Sequence, residues 1–539
     1  MQRAWRVATA ASATALVLAL VLWSPALSAP RSEPSFFVLE PIAADVGPSI
    51  AHAKRSDHAG EIHRERPLLA PSGAKRPKPG TGGTDGALQS SATTPLDTVS
   101  GLSFDGVGVG LGSYADCCAP PDTNASVGTT QVVEWVNLDY AVFDKATGAL
   151  VAGPTPGNAI WSDIAAGRCG SNNDGDPIVK FDAQAGRWFM TQLSVSGGPP
   201  YYQCVAVSSG ADFVASSWSR YVYSFGSNFP DYPKAGVWPD AYYMSFNLFT
   251  NGVSFAGAAA CAFDRAAMLA GLSASAQCFN LGSRVASLLP SDLDGATGLA
   301  ASTAPPPAGS PDFFVNFGSS ALNVWKFHVD FATSANTTLT GPDVLSVPSF
   351  AQACSGGTCV PQAGTANQLD SLGDRLMYRL AYRNFGDHEA LVVTHAVRGS
   401  GTSAPRWYEL RSPGTGTFAV YQASSYAPDA TYRWMSSAAM DRQGNLAVGY
   451  SASSAAIYPA IRYAGRVAAD PLNQLRQEAS IVAGAGSQTG SLHRWGDYSS
   501  MAVDPGDDCT FWYANQYLRA SGTFNWSTHL FSFRFPGCQ

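Results

Sequence analysis

The chain has 539 residues, of which 45% are hydrophobic, 11% aromatic and only 14% charged, with 53 Gly, 35 Pro and a formal net charge of −7. The negative balance argues against nucleic acid or an anionic membrane surface as a partner. Dense Gly, Pro and aromatic residues with scarce helical periodicity point to β structure, and the length calls for several domains or a repeat array rather than one simple core.

In chain order, Arg3 and Arg6 precede an uncharged apolar run from Val7 to Trp23, and Pro25-Ala26-Leu27-Ser28-Ala29 supplies the small residues of a cleavage site. Residues 1–29 therefore read as a signal peptide, and the chain as secreted, extracellular or periplasmic, with no membrane span in its mature form. Residues 30–96 are rich in charge, Pro and Gly, as in KRPKPGTGG at 75–83, and read as a disordered leader or linker. Without these first 96 residues the net charge is near −10. The folded domain is expected over 97–539.

All ten cysteines fall in that domain. In an exported chain an even count reads as disulfides. Sequence neighbours suggest Cys169–Cys204, Cys261–Cys278, Cys354–Cys359 and Cys509–Cys538. Adjacent Cys117 and Cys118 then form either a vicinal disulfide or pairs exchanged with the others.

A recurring unit sets the architecture: a polar anchor, a short apolar strand, a tight turn with Asp and Gly, then a second strand. It reads RWMSSAAMDRQGNLAVGYS from 433, RWGDYSSMAVDPGDDCTFWYANQY from 494 and DGDPIVKFDAQAGRWFMTQLS from 174. Strands end at Asp182, Asp441 and Asp504, and turn through Gly186, Gly444 and Gly506 as hairpins require, with the same turn at Asp144 and Gly148. Weaker copies near Tyr232, Leu288 and Leu372 bring the anchors close to 121, 174, 231, 289, 372, 431 and 493. One such unit cannot bury both faces of its sheet, so neighbours must stack. The expected fold is all-β: a β-propeller of seven blades.

The strings CCAPPDTNASVG, NNDGDPIVKFD, DYPKAGVWPDAYYMS, LDSLGDRLMYRLAYRNFGDHEALVV and YRWMSSAAMD resemble a family of secreted bacterial propeller-like proteins across roughly 100–538. The resemblance implies the fold and carries no activity. More remotely, the Asp-turn-Gly hairpins are similar to sialidase-type blades, although the full Ser-x-Asp-x-Gly-x-Thr-Trp box is absent.

In a propeller the loops entering the innermost strands converge at one mouth of the central channel. Asp122, Asp176, Asp240, Asp292 and Asp294 would gather there from the first four units, with Arg375, Arg433, Arg494 and Asp497 from the last three. The simplest expectation is that the aspartates make turn hydrogen bonds and the arginines pair with them. A glycan site is the sharper reading. Arg375, Arg433 and Arg494 would fork a sugar carboxylate and Trp434 and Trp495 would stack on pyranose faces. Asp176 and Asp240 would act as acid and base or nucleophile, or Tyr378 and His388 as the acid and base of a lyase. Asp174 with Asp176, and Asp292 with Asp294, offer hard oxygens on Gly-containing loops for a structural calcium, although neither completes a twelve-residue calcium loop; no other cofactor is required. No Gly-x-Ser-x-Gly elbow and no phosphate-cradling loop before a helix is present. The expected function is a monomeric, secreted propeller that binds or cleaves an extracellular anionic glycan as a glycoside hydrolase or polysaccharide lyase. The alternative is a non-catalytic extracellular interaction or adhesion module.

Overall fold

A computed structural model describes residues 1, 33–56, 64–65, 69–71, 85–295 and 304–538. The signal-peptide assignment lies outside the described residues, apart from Met1. Among the described residues no helix is long and apolar enough to cross a membrane.

The strands carry apolar residues on both faces. In Arg187–Ser194, Trp188 and Met190 enter one buried cluster while Phe189 enters another. In Tyr201–Ser208, Cys204 and Ala206 face the first cluster, and Val205 and Val207 the second. Successive side chains of a strand point to opposite faces, so a strand that is apolar at every position must be covered on both. The remedy is a ring of stacked sheets, and the protein is a β-propeller.

Among the described residues the larger sheets have four, five, five, nine, four and four strands in chain order, and the nine-stranded sheet joins two antiparallel units through one parallel pair. Numbered in chain order, the units have as innermost strands β1 (Asn124–Val127), β2 (Ile178–Asp182), β3 (Asn228–Val237), β4 (Leu289–Leu293), β5 (Leu376–Asn384), β6 (Tyr432–Met440) and β7 (Ser500–Val503). Each touches the next, β4 and β5 pair in parallel, and β7 returns to β1. The cores lie between units. Val127 and Val132 of the first unit, for example, pack with Trp512 and Leu530 of the last. Closure is reinforced from outside, because the outermost strand of the last unit, Val99–Asp105, precedes the first unit in the chain and pairs antiparallel with Trp526–Arg534.

The hairpin signals act as read at three turns, and in the turn after Asp504 it is Asp508, at φ 57°, and not Gly506 that takes the left-handed conformation. Asp182 accepts the N–H of Ala185 at 3.1 Å, Asp441 that of Gln443 at 2.9 Å, Asp504 that of Gly506 at 2.8 Å and Asp144 that of Thr147 at 2.9 Å. Gly186, Gly444 and Gly148 take φ of 63°, 79° and 73° there, a conformation that glycine adopts without steric cost.

The leader departs from the expectation of disorder over 30–96. Ser35–Leu39 pairs with Ala276–Asn280 at the edge of the third unit, and Pro41–Gly47 with Trp218–Gly226 at the edge of the second. One continuous segment thus straps two neighbouring edges. Its SFFVLEPIAADV stretch presents Phe37, Leu39 and Ala43 to the cores beneath. Averaging it with the Pro- and Lys-rich sequence that follows hid this.

The disulfides Cys169–Cys204, Cys261–Cys278, Cys354–Cys359 and Cys509–Cys538 are formed. Cys117 and Cys118 stand apart from these four bridges, and both are buried.

Candidate functional site

The loops entering the inner strands do converge. At six of the inner strands one residue takes a left-handed backbone, with φ between 45° and 100°: Asp122, Asp176, Leu372 and Gly496 ahead of their strands, and Tyr232 and Met435 at a bulge within theirs. Non-glycine residues rarely adopt this conformation, Asp less rarely than most. The kink turns the anchor side chains toward the axis.

There Asp122, Asp176, Asp231 and Asp497 surround one buried ammonium, that of Lys234. It sits 3.6 Å from the centre of the Tyr232 ring and 4.0 Å from that of Tyr498, and donates to the Pro233 carbonyl at 2.8 Å. Burial pulls its pKa down to about 8, against the attraction of Asp176, Asp497 and Asp122. Burial pushes the Asp122 carboxyl well above its usual range, with repulsion from Asp497 and Asp176 adding to it. Burial raises Asp231 in the same way, with Asp176 the main like charge. The aspartates also bond across units: Asp122 accepts the Asp497 N–H at 2.7 Å, and Asp176 that of Tyr232 at 3.2 Å.

A cavity of about 420 Å³ opens beside this cluster. Asp174, Asp176 and Asp231 line it together with Glu65, Tyr201 and Phe229. Asp231 is partly exposed as a residue and contributes to the cavity wall.

Sequence reasoning missed Asp231 and Lys234. The signal was legible in the repeat. Tyr232-Pro233-Lys234 aligns with Asp176-Pro177-Ile178, both opening on a left-handed residue. A lysine where the neighbouring unit has a buried isoleucine marks a charge turned inward.

The other expected site residues are placed differently. Arg433, Trp434 and Trp495 are fully buried. Arg433 donates to both oxygens of Glu478 at 2.8 and 2.9 Å and to the Thr431 carbonyl, which uses up its fork. Trp434 and Trp495 pack against each other with ring centres 5.9 Å apart, as wedges between units and not as platforms for sugar. Arg494 pairs with Asp497, and Arg375 with Asp374 at 2.8 Å, its guanidinium 4.6 Å from the centre of the Tyr232 ring. The arginines are therefore matched inside the protein.

Tyr378 is buried in the channel, its ring centre 5.9 Å from that of Tyr498. His388 is not near it. The imidazole bonds Asp387 at 2.7 Å and stacks on Phe385 in the hairpin at the far end of β5, nine residues of strand away from the mouth. Asp240 lies in the hairpin after β3, again at the end opposite Asp231, and accepts the Tyr243 hydroxyl at 3.4 Å. Neither can join Asp176 in one reaction.

Of the expected calcium ligands, Asp174 accepts the N–H groups of Val195 at 2.6 Å and Ser196 at 2.8 Å. Asp292 and Asp294 lie within the channel, where Arg379 bridges them and Lys180 also pairs with Asp292. Asp174 and Asp292 are thus bonded to donors, while Asp294 pairs with Arg379 through one oxygen and its Oδ2 has no hydrogen-bond partner among the described residues.

The chain matches no protein-family profile and no curated relative. Among solved structures it is similar to a protein of unknown function from Dyadobacter fermentans, at 10% identity over 66% of this chain and 94% of that one, with a TM-score of 0.34. An endo-1,5-alpha-L-arabinanase from Thermotoga petrophila is similar at 10% identity over 77% and 97%, TM-score 0.28. A polysaccharide lyase, an ulvan lyase, is similar at 11% identity over 79% and 80%, TM-score 0.26. Likenesses this distant decide nothing about the activity of this chain.

Proposed function

We propose that this is an exported propeller that binds and hydrolyses an extracellular glycan of neutral sugar residues in the cavity beside the mouth. The supporting observation is Asp231, a carboxyl raised by burial and by the like charge of Asp176 on the wall of that cavity. A carboxyl kept protonated can give its proton to a glycosidic oxygen as the C–O bond breaks, and a second carboxylate can take a proton from the attacking water. Asp231 is the acid in this reading and Asp176 the base. The other three carboxyl groups on the cavity wall, Glu65, Asp174 and Asp176, would repel a uronate or sialate, so the anionic class expected from the arginines fits less well. Reducing-sugar release from a panel of neutral and acidic polysaccharides tests the proposal. Release from none of them would remove the hydrolase reading.

A non-catalytic extracellular module is the second reading. The channel favours it, because Lys180, Arg379 and Arg383 are matched there to Asp292, Asp294 and Asp508, which is bracing between units and not an open passage for substrate.

A further inference from the structure

On the outer rim, away from the mouth, a groove of about 730 Å³ runs between the outermost strand of the fifth unit, Ala419–Tyr426, the segment 86–94 and the loop 473–475. No charged side chain lines it among the described residues. Its walls carry the hydroxyls of Ser90, Ser91 and Thr93 and the side-chain amide of Gln474. Tyr421 stands in it as an exposed aromatic, 41% accessible. The guanidinium of Arg411 lies 3.5 Å from the centre of that ring and is itself held by Glu409.

The walls are fixed before any ligand arrives. Gln89 donates to the Leu475 carbonyl at 2.7 Å and accepts its N–H at 2.9 Å, which ties the segment 86–94 to the loop. Asn473 accepts the Ala423 N–H at 2.9 Å and donates its own N–H to Gln422 at 3.2 Å. A preformed groove loses little entropy on binding. An uncharged lining of hydroxyls and amides with one anchored aromatic matches a sugar chain, whose C–H faces stack on a ring while its hydroxyls exchange hydrogen bonds with the walls. Strand addition by a peptide fits less well, because the edge N–H groups of Ala423 and Ser425 are already taken by Asn473 and the Ala87 carbonyl.

We propose that this groove is a second saccharide-binding site, for an uncharged glycan chain, that holds polymer to the protein independently of the mouth. The test is affinity electrophoresis of the full chain through gels containing xylan, mixed-linkage β-glucan, galactomannan or pullulan, with polygalacturonate as the acidic control. At least one neutral polymer should retard the wild type. Tyr421→Ala should weaken that retardation about tenfold, as loss of an aromatic stacking contact does, while Tyr421→Phe and Asp231→Asn retain it. Tyr421 is exposed, so its replacement leaves the fold intact, and a melt confirms this. Retardation by no neutral polymer, or by polygalacturonate alone, would overturn the groove. So would a Tyr421→Ala variant retarded like wild type. Retardation lost in Asp231→Asn and kept in Tyr421→Ala would overturn the groove while leaving the mouth as the glycan site.

Discussion

The carboxylate of Asp122 accepts the backbone N–H of Asp497 at 2.7 Å, which joins the loop entering the first inner strand to the loop entering the last. The two residues are 375 apart in sequence, and this bond acts at the axis as Val99–Asp105 acts at the rim. Asp122→Ala leaves a buried N–H without its acceptor, at a cost of about 1–3 kcal/mol. A lower melting temperature with unchanged secondary structure is the expected outcome in a circular-dichroism melt. No shift would mean that the ring is closed from the rim alone.

Arg433 bears on whether the arginines serve ligand or fold. Its removal leaves Glu478 with Arg462 as its remaining cation in a largely enclosed site. Breaking a buried pair from one side costs about 3–5 kcal/mol, so Arg433→Ala should melt well below wild type whether or not a glycan is present. A variant as stable as wild type that loses glycan binding would restore the original expectation of a sugar-carboxylate fork.

The turns, the order of the units and four disulfide pairs were legible because each rests on a local rule: Asp before Gly in a hairpin, a repeated anchor, neighbouring cysteines. The strap at Ser35–Leu39 and Pro41–Gly47 was not, since strand pairing with partners some 180 to 240 residues away leaves only a short apolar alternation inside a charged region. At the mouth, Asp122, Asp176 and Asp497 were found from their anchor positions. Trp434 and Trp495 lie in the interior and His388 and Asp240 in hairpins away from Asp176, a placement that was not legible because sequence spacing gives the strand but not which end of it, or which face, a side chain occupies.

The strap can be tested by truncation. A chain beginning at residue 48 loses both edge strands and the packing of Phe37 and Leu39, worth about 2–4 kcal/mol together, and uncovers two sheet edges. It should melt lower and aggregate more readily than the full chain by light scattering. Equal stability would show that the segment contributes nothing to the fold.

Stability should also depend on pH through Glu134. It is fully buried, accepts the Val107 N–H at 2.6 Å, and burial lifts its pKa to about 8 from the ordinary 4.5. The unfolded chain gives up this proton near 4.5 and the folded chain keeps it to about 8. The contribution is therefore fully present below 4.5 and is lost as pH rises through that window, with a slope of up to about 1.4 kcal/mol per pH unit. Glu134→Gln keeps the shape and removes the titration, so denaturant melts between pH 5 and 8 should show a flatter profile for the variant. Parallel profiles would contradict a neutral Glu134.

The most direct measurement is the hydrolysis rate of Asp231→Asn on whichever polysaccharide the wild type cleaves, with a melt alongside. A general acid contributes about 10²–10⁴-fold, so the rate should fall by at least about a hundredfold while the melting temperature holds. An Asp231→Asn variant that is equally stable and equally fast would contradict the assignment of catalysis to this cavity.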